Sequence, residues 1–198
     1  MTIPNIITLA RLALIPFILA LTYGQSSTAL WGAALLFALA AASDWLDGFL
    51  ARRLQQFSRF GTILDPVVDK MLVLGVFFVF THLDDASGAP LVPGAIFLLL
   101  LLREFMVSAI RHGLTTSRKV VGANWMGKTK FCLQIAALAL GYIYLIYRSA
   151  GHEAAGLREA LYWAAIAVTV VAYIFLGRFM ACHARELFER SEAPLEQD

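Results

Sequence analysis

Apolar residues run along this chain in six long blocks, each about as long as a helix that crosses a membrane. A helix rises about 1.5 Å per residue, so roughly twenty residues cross about 30 Å of hydrocarbon. The blocks occupy residues 5–23, 28–50, 62–82, 91–112, 128–147 and 158–181. This pattern predicts an all-α membrane protein, a bundle of six transmembrane helices that forms one domain over residues 1–182, with a polar tail over residues 183–198.

The composition agrees with a membrane environment. Of the 198 residues, 60% are hydrophobic and 15% are charged, too few polar groups for the surface of a soluble domain of this size. The net charge of +2 gives no bulk attraction to nucleic acid, and no nucleic-acid partner is expected. The two cysteines, Cys132 and Cys182, lie in or beside apolar blocks, where two buried thiols are expected in place of a disulfide.

Basic residues are concentrated in alternate loops. They follow the second block at Arg52, Arg53 and Arg59, and follow the fourth block at Arg111, Arg118, Lys119, Lys128 and Lys130. The loops after the first and third blocks carry no lysine or arginine. Because cytoplasmic loops of membrane proteins are enriched in lysine and arginine, we expect both termini on the cytoplasmic side.

Ionisable residues also interrupt the apolar blocks, and the predicted topology places all of them in the cytoplasmic half. They are Arg11, Asp44, Asp47, Asp65, Asp69, Lys70, Arg103, Glu104 and Arg178. A charge inside the membrane costs at least a few kcal/mol, so a one-sided cluster indicates a polar cavity. Unrelated interfacial anchors would explain arginines that extend to the surface, but not four aspartates.

The aspartates lie in the stretch DWLDGFLARRLQQFSRFGTILDPVVDK. Asp44 and Asp47 are three residues apart, Asp65 and Asp69 are four apart, and each pair therefore shares one helix face. The short basic loop makes the two helices antiparallel neighbours, and Pro66 is acceptable in the first turn or so of the second one. Carboxylate oxygens without Cys or His suit Mg²⁺ or Mn²⁺, and two such ions commonly assist displacement at phosphorus.

The same stretch resembles a known family. It matches the pattern D-x2-D-G-x2-A-R-x8-G-x3-D-x3-D of the CDP-alcohol phosphotransferases at Asp44, Asp47, Gly48, Ala51, Arg52, Gly61, Asp65 and Asp69. The resemblance implies the six-helix fold of that family, usually as a homodimer, and catalysis at the cytoplasmic side of a bacterial inner membrane. It also implies that a CDP-linked lipid, CDP-diacylglycerol, is the donor.

Roles for individual residues follow from this resemblance. The four aspartates would bind two Mg²⁺ or Mn²⁺ ions, and Asp69 would also be the catalytic base for the acceptor hydroxyl. The donor would lie against Gly48, Ala51, Arg52 and Gly61. Asn5 and Thr8 share a face of the first helix with Arg11 and could touch the donor or the metal ligands, although helix capping and extension to the membrane surface explain Asn5 and Arg11 equally well.

Shorter motifs indicate the acceptor. NIITLAR, REFMVSAIRHG and GKTK resemble the bacterial glycerol-3-phosphate phosphatidyltransferases, which implies that sn-glycerol 3-phosphate receives the phosphatidyl group and CMP leaves. An acceptor that carries a phosphate needs cations, and Arg103, Arg111, Lys128 and Lys130 are the candidates. Basic loops also orient membrane proteins without binding a ligand, and Arg103 could instead pair with an aspartate or with Glu104.

Other functions stay open at this point. The same family with inositol phosphate, serine or phosphatidylglycerol as acceptor is one alternative, and a divalent-metal transporter is a more distant one. The apolar outer halves of the blocks argue against a transport path. Residues 122–129 fit the phosphate-loop pattern G-x4-G-K-[ST], but the strand that such a loop requires is not predicted here.

Overall fold

A computed structural model describes the backbone of residues 3–54, 59–85, 87–115 and 125–191, and the side chains of residues 6–43, 64–85, 87–111 and 127–182. Over these ranges the chain forms six α-helices, and its only β-type pairing is an isolated bridge between Asp84 and Pro90. The helices are α1 (Ile3–Tyr23), α2 (Ser27–Leu54), α3 (Arg59–Phe80), α4 (Gly94–Thr115), α5 (Trp125–Ser149) and α6 (Ala155–Ser191). The all-α prediction is therefore confirmed.

The helix ends differ from the apolar blocks where polar residues extend a helix. The last helix continues about ten residues beyond the apolar block, to Ser191. The third begins at Arg59, so Pro66 lies inside it, and the expectation that this proline occupies the first turn was wrong. Its ring is exposed on the helix surface, away from neighbouring helices, and one missing N–H is the main cost.

Three of the described helical segments are long and apolar enough to cross a membrane: Ile6–Tyr23, Gly127–Ser149 and Ala155–Cys182. The apolar part of α2, Ser27–Ser43, is shorter. In α3 and α4, ionisable residues interrupt the apolar run: they are Asp65, Asp69 and Lys70 in α3 and Arg103, Glu104 and Arg111 in α4. The chain is thus helical in all six predicted places, while six membrane crossings remain a prediction.

The third helix lies at the centre of the bundle. It contacts α1, α4 and α5, whereas α6 packs against α5 and α4, and α2 packs against α1 and α5. Phe77 and Phe80 of α3 are fully buried, and so is Leu138 of α5. Many other large apolar side chains point outward, as expected for helices surrounded by lipid: Phe17, Trp31, Leu35, Phe105, Trp163 and Ile174 are more than half exposed.

The two cysteines lie on such outward faces. Both Cys132 and Cys182 are exposed, so the expectation of buried thiols was wrong. An apolar block in a membrane protein faces lipid as well as the core, and apolar neighbours in the sequence therefore do not predict burial.

Polar contacts close the end of the bundle that carries the α3–α4 and α5–α6 loops. The carboxylate of Asp85 accepts hydrogen bonds from the hydroxyl and backbone N–H of Ser87 and from the N–H of Ala89. It also pairs with Arg158 Nε at 2.8 Å. The Ser87 hydroxyl, the backbone N–H groups and Arg158 lower the pKa of Asp85 to about 2. A permanently charged Asp85 therefore ties the α3–α4 loop to α6.

The closest helix contact is between α3 and α5 at Gly141. A Cβ atom at this position would lie 2.1 Å from Phe80 Cε2 and 2.8 Å from Phe80 Cζ. Phe80 is fully buried and packs edge-to-face on Tyr142, with 5.7 Å between ring centroids, so it has no room to move aside. Only glycine fits here.

Gly141→Ala is therefore expected to destabilise the protein by about 1–3 kcal/mol, the usual cost of overpacking a core. The measurement is the denaturation midpoint of purified protein in detergent. Gly177→Ala is the matched control, because Gly177 is exposed on α6 and a Cβ there would meet nothing within 4 Å. Equal midpoints for the two variants would contradict the predicted clash.

Candidate active site

Two of the predicted metal-ligating aspartates face α1. Asp65 and Asp69 lie one turn apart on α3, and Thr8 and Arg11 lie three residues apart on α1, so each pair presents one face. Thr8 Oγ1 donates to Asp65 Oδ1 at 2.5 Å. One turn further, Arg11 Nη1 pairs with Asp69 Oδ1 at 2.6 Å. The two helices are thus joined by two successive polar contacts, and each aspartate has an oriented carboxylate.

Arg11 also reaches α2. Its Nε donates to Ser43 Oγ at 3.2 Å, and the Ser43 hydroxyl donates to the carbonyl of Ala40 at 2.9 Å. Only 2% of the Arg11 side chain is exposed, so the alternative in which this arginine extends to the membrane surface was wrong. The guanidinium of Arg11 therefore bridges Ser43 of α2 and Asp69 of α3.

This contact bears on the other two aspartates, because Asp44 directly follows Ser43 in the chain. The backbone of α2 continues as a helix through Asp44 and Asp47. The predicted donor and metal residues of α2 lie outside the described side chains, as do Asn5 of α1 and Gly61 of α3: they are Asp44, Asp47, Gly48, Ala51 and Arg52. Among the described side chains alone, no group of three or more His, Cys, Asp or Glu could hold a metal ion. A four-aspartate site therefore stays a prediction.

A second cluster of charged residues lies between α4, α5 and α6. It consists of Arg103, Glu104 and Lys130, and we call it the ion cluster. Glu104 Oε1 accepts from Arg103 Nη1 at 3.0 Å and from Lys130 Nζ. Arg103 Nε donates to the carbonyl of Ala172 on α6 at 3.2 Å. All three charged residues are at most 7% exposed. A carboxylate between two cations offsets much of the cost of burying them.

Lys70 connects the two sites. It follows Asp69 on α3, and its ammonium group donates to the hydroxyl of Ser108 on α4. Ser108 in turn donates to the carbonyl of Glu104 at 2.7 Å. Successive residues of α3 thus carry the carboxylate that faces α1 and the cation that faces the ion cluster.

The four predicted acceptor-binding residues occupy different surroundings. Arg103 and Lys130 are buried in the ion cluster, and the alternative pairing of Arg103 with Glu104 is confirmed. Arg111 is exposed near the end of α4 and lies close enough to Lys70 to interact with it electrostatically. Lys128 is exposed in the first turn of α5. Binding of an acceptor by these residues remains a prediction.

Sequence reasoning named Glu104 only as a possible partner of Arg103, and it gave Ser43 and Ser108 no role. A usable signal existed for the first, since an acidic residue next to Arg103 in an apolar helix needs a buried partner. Ser108 lies one turn after Glu104 on the same helix face. Ser43 had no such signal, because a single serine before an aspartate occurs in many helices without structural consequence.

Comparison with known proteins identifies the family of this chain. The model of the CDP-alcohol phosphatidyltransferase family matches residues 1–171. The CDP-diacylglycerol--glycerol-3-phosphate 3-phosphatidyltransferase of Escherichia coli (strain K12) is 40% identical over 139 residues, which cover 69% of this chain and 74% of that protein. Proteins of the same description from Shigella flexneri serotype 5b (strain 8401) and Shigella sonnei (strain Ss046) match to the same extent. The chain therefore belongs to the CDP-alcohol phosphatidyltransferase family.

Proposed function

We propose that this protein is a membrane-embedded enzyme that transfers a phosphatidyl group from CDP-diacylglycerol to sn-glycerol 3-phosphate. The products are phosphatidylglycerol phosphate and CMP. One observation carries the proposal: Asp69 and Lys70 are consecutive on α3. Asp69 belongs to the face of carboxylates that contacts α1, and Lys70 extends toward the ion cluster through Ser108. A base for the acceptor hydroxyl and cations for the acceptor phosphate are thereby neighbours. The similarity to the Escherichia coli enzyme, whose description contains both substrates, supports the same reaction.

The proposed cofactors are two Mg²⁺ or Mn²⁺ ions held by Asp65 and Asp69 of α3 together with Asp44 and Asp47 of α2. The carboxylate oxygens fit these hard cations, and the Ser43–Arg11–Asp69 contacts tie α2, one residue before Asp44, to α3. When bound, the ions would neutralise the donor diphosphate and favour displacement at its phosphorus.

The chain itself would orient the reactants and accept the proton. Asp69 takes the proton of the glycerol 3-phosphate hydroxyl as that oxygen forms its bond to the β-phosphorus of the donor, and the phosphorus–oxygen bond to CMP breaks in line. Thr8 keeps the Asp65 carboxylate aligned through its 2.5 Å hydrogen bond. Gly48, Ala51, Arg52 and Gly61 would hold the CDP group, with Asn5 beside it.

The phosphate of the acceptor would be attracted by an excess of positive charge. Glu104 pairs with Arg103 and Lys130, and Lys70 and Arg111 add two further cations nearby. Lys128, two residues before Lys130 on α5, would add to this field. Guanidinium and ammonium groups recognise phosphate well, whereas serine and glycerol carry no phosphate to recognise.

We further propose six membrane crossings, with both termini and the active site on the cytoplasmic side of a bacterial inner membrane. The basic loops favour this orientation. The Asp85–Arg158 pair lies at the opposite end of the bundle from Asp69, so this proposal places that pair on the outer side of the membrane. Residues 1–182 would form the catalytic domain, residues 183–198 a polar cytoplasmic tail, and two copies a homodimer.

The test combines an acceptor panel with sealed membrane vesicles. With CDP-diacylglycerol and Mg²⁺ or Mn²⁺, glycerol 3-phosphate should drive CMP release, whereas serine, inositol phosphate, phosphatidylglycerol and glycerol should be poor acceptors. Glycerol 3-phosphate does not cross a bilayer, so inside-out vesicles should react and right-side-out vesicles should react only after permeabilisation.

Two outcomes would contradict separate parts of the proposal. Faster CMP release with inositol phosphate or serine would replace the acceptor and leave the family assignment intact. Activity confined to intact right-side-out vesicles would invert the proposed topology.

A further inference from the structure

Arg11 contacts two different helices and is almost completely buried. Its guanidinium donates to Ser43 on α2 and pairs with Asp69 on α3, at 3.2 and 2.6 Å, and 2% of the side chain is exposed. An arginine in a protein stays protonated, and a charge in this position is tolerated only when it is paired. Arg11 is therefore a permanent cation with a fixed position in the site.

The contact with Asp69 has an electrostatic consequence. Arg11 Nη1 approaches Asp69 Oδ1, an oxygen of a carboxylate that the proposed function assigns to both metal binding and proton acceptance. Two cations that share one carboxylate repel each other, and this repulsion is strong where water is scarce. Arg11 should thus oppose divalent-cation binding at Asp69.

The same contact has a geometric consequence. Because Ser43 holds Nε while Asp69 holds Nη1, the planar guanidinium fixes the direction of the Asp69 carboxylate relative to α2. A carboxylate held in this way keeps its alignment for the acceptor hydroxyl. The contact with Arg11 also prevents a bound metal ion from drawing the Asp69 carboxylate fully into its coordination shell.

We propose that Arg11 is a positioning residue that weakens metal binding at Asp69 and holds this carboxylate in the orientation needed for turnover. The inference rests on the proposed function, since it assumes that divalent cations bind at these aspartates. When Arg11 is replaced, the affinity for metal should rise and the rate of reaction should fall. Loss of folding would lower both.

The test measures Mn²⁺ binding to the purified full-length protein in detergent by electron paramagnetic resonance. Steady-state kinetics of the same protein give kcat. Arg11→Gln should bind Mn²⁺ more tightly, with Kd lowered on the order of tenfold, because one cation no longer opposes the other. Its kcat at saturating Mn²⁺ should nevertheless fall at least on the order of tenfold, since the base has lost its alignment.

Matched variants separate charge from geometry. Arg11→Lys keeps the charge but not the two-point contact, so its Kd for Mn²⁺ should stay near the wild-type value while kcat falls. Ser43→Ala removes only the hydrogen bond that orients Nε and also keeps the charge, so its Kd for Mn²⁺ should stay near the wild-type value while kcat falls by a smaller factor than in Arg11→Gln. Arg178→Gln, which removes an exposed cation of α6, should leave both unchanged.

The outcomes are distinguishable. If the wild-type protein binds no Mn²⁺, the metal centre of the proposed function is wrong. If the wild type binds Mn²⁺ and Arg11→Gln binds it equally well or more weakly, this inference is wrong and the proposed function stands. Should Arg11→Gln fail to fold, Arg11→Lys and Ser43→Ala still decide, because a wild-type kcat or a clearly changed Kd for Mn²⁺ in these two variants would overturn the proposal.

Discussion

Asp69→Asn is expected to lower kcat by a factor of about 10²–10⁴, the usual contribution of a general base, while the donor still binds. Asparagine keeps the size of the side chain and one oxygen, so the contact from Arg11 Nη1 can persist. The group that would take the proton of the acceptor hydroxyl is lost. Catalysis should therefore suffer far more than binding of CDP-diacylglycerol.

The measurement is donor affinity and kcat over a titration with Mg²⁺ or Mn²⁺. Asp65→Asn is the matched comparison, because Asp65 lies one turn away on α3 and is held by Thr8. It should weaken metal-dependent donor binding as well as the rate. Near-normal turnover of Asp69→Asn, or recovery of its rate at high metal concentration, would show that Asp69 is only a ligand and that the base lies elsewhere.

Glu104→Ala is expected to destabilise the protein by about 3–5 kcal/mol, because breaking a buried ion pair leaves uncompensated charge. Glu104 is 6% exposed and accepts from both Arg103 and Lys130. Its removal would leave two buried cations without their shared carboxylate. The denaturation midpoint of purified protein in detergent measures the effect.

A second substitution tests the mechanism. Combining Glu104→Ala with Lys130→Met removes one of the stranded cations, so the double variant should be less destabilised than the sum of the single variants. Glu159→Ala, at an exposed position of α6, is the control and should change stability by no more than about 0.5 kcal/mol. A midpoint for Glu104→Ala equal to that of the control would show that the ion cluster contributes nothing to stability.

Much of the local structure was predictable from particular residues. Runs of apolar side chains predicted every helix to within a few residues, except at the end of α6, which polar residues lengthen by about ten residues. The four-residue spacing of Asp65 and Asp69 predicted a shared face, and the three-residue spacing of Thr8 and Arg11 predicted another. Both faces exist, and they meet.

The partners of individual charged groups were not predictable. Arg11 contacts Asp69, 58 residues along the chain, and Lys130 contacts Glu104, 26 residues away. The basic-loop pattern assigned Lys130 to a loop charge or a phosphate site, and it did not identify Glu104 as its partner. Such contacts depend on the rotation of each helix about its axis and on its depth, which the position of a residue in an apolar run does not specify.

The sequence by itself determined the six helices and the face of α3 that carries Asp65 and Asp69. Only the tertiary structure decided which helix face turns inward, as the exposed Cys132 and the tight Gly141–Phe80 contact show. The reason is the solvent. In water a polar side of a helix marks its outer face, but lipid and protein core are equally apolar, so most positions along these helices carry no record of the direction they face.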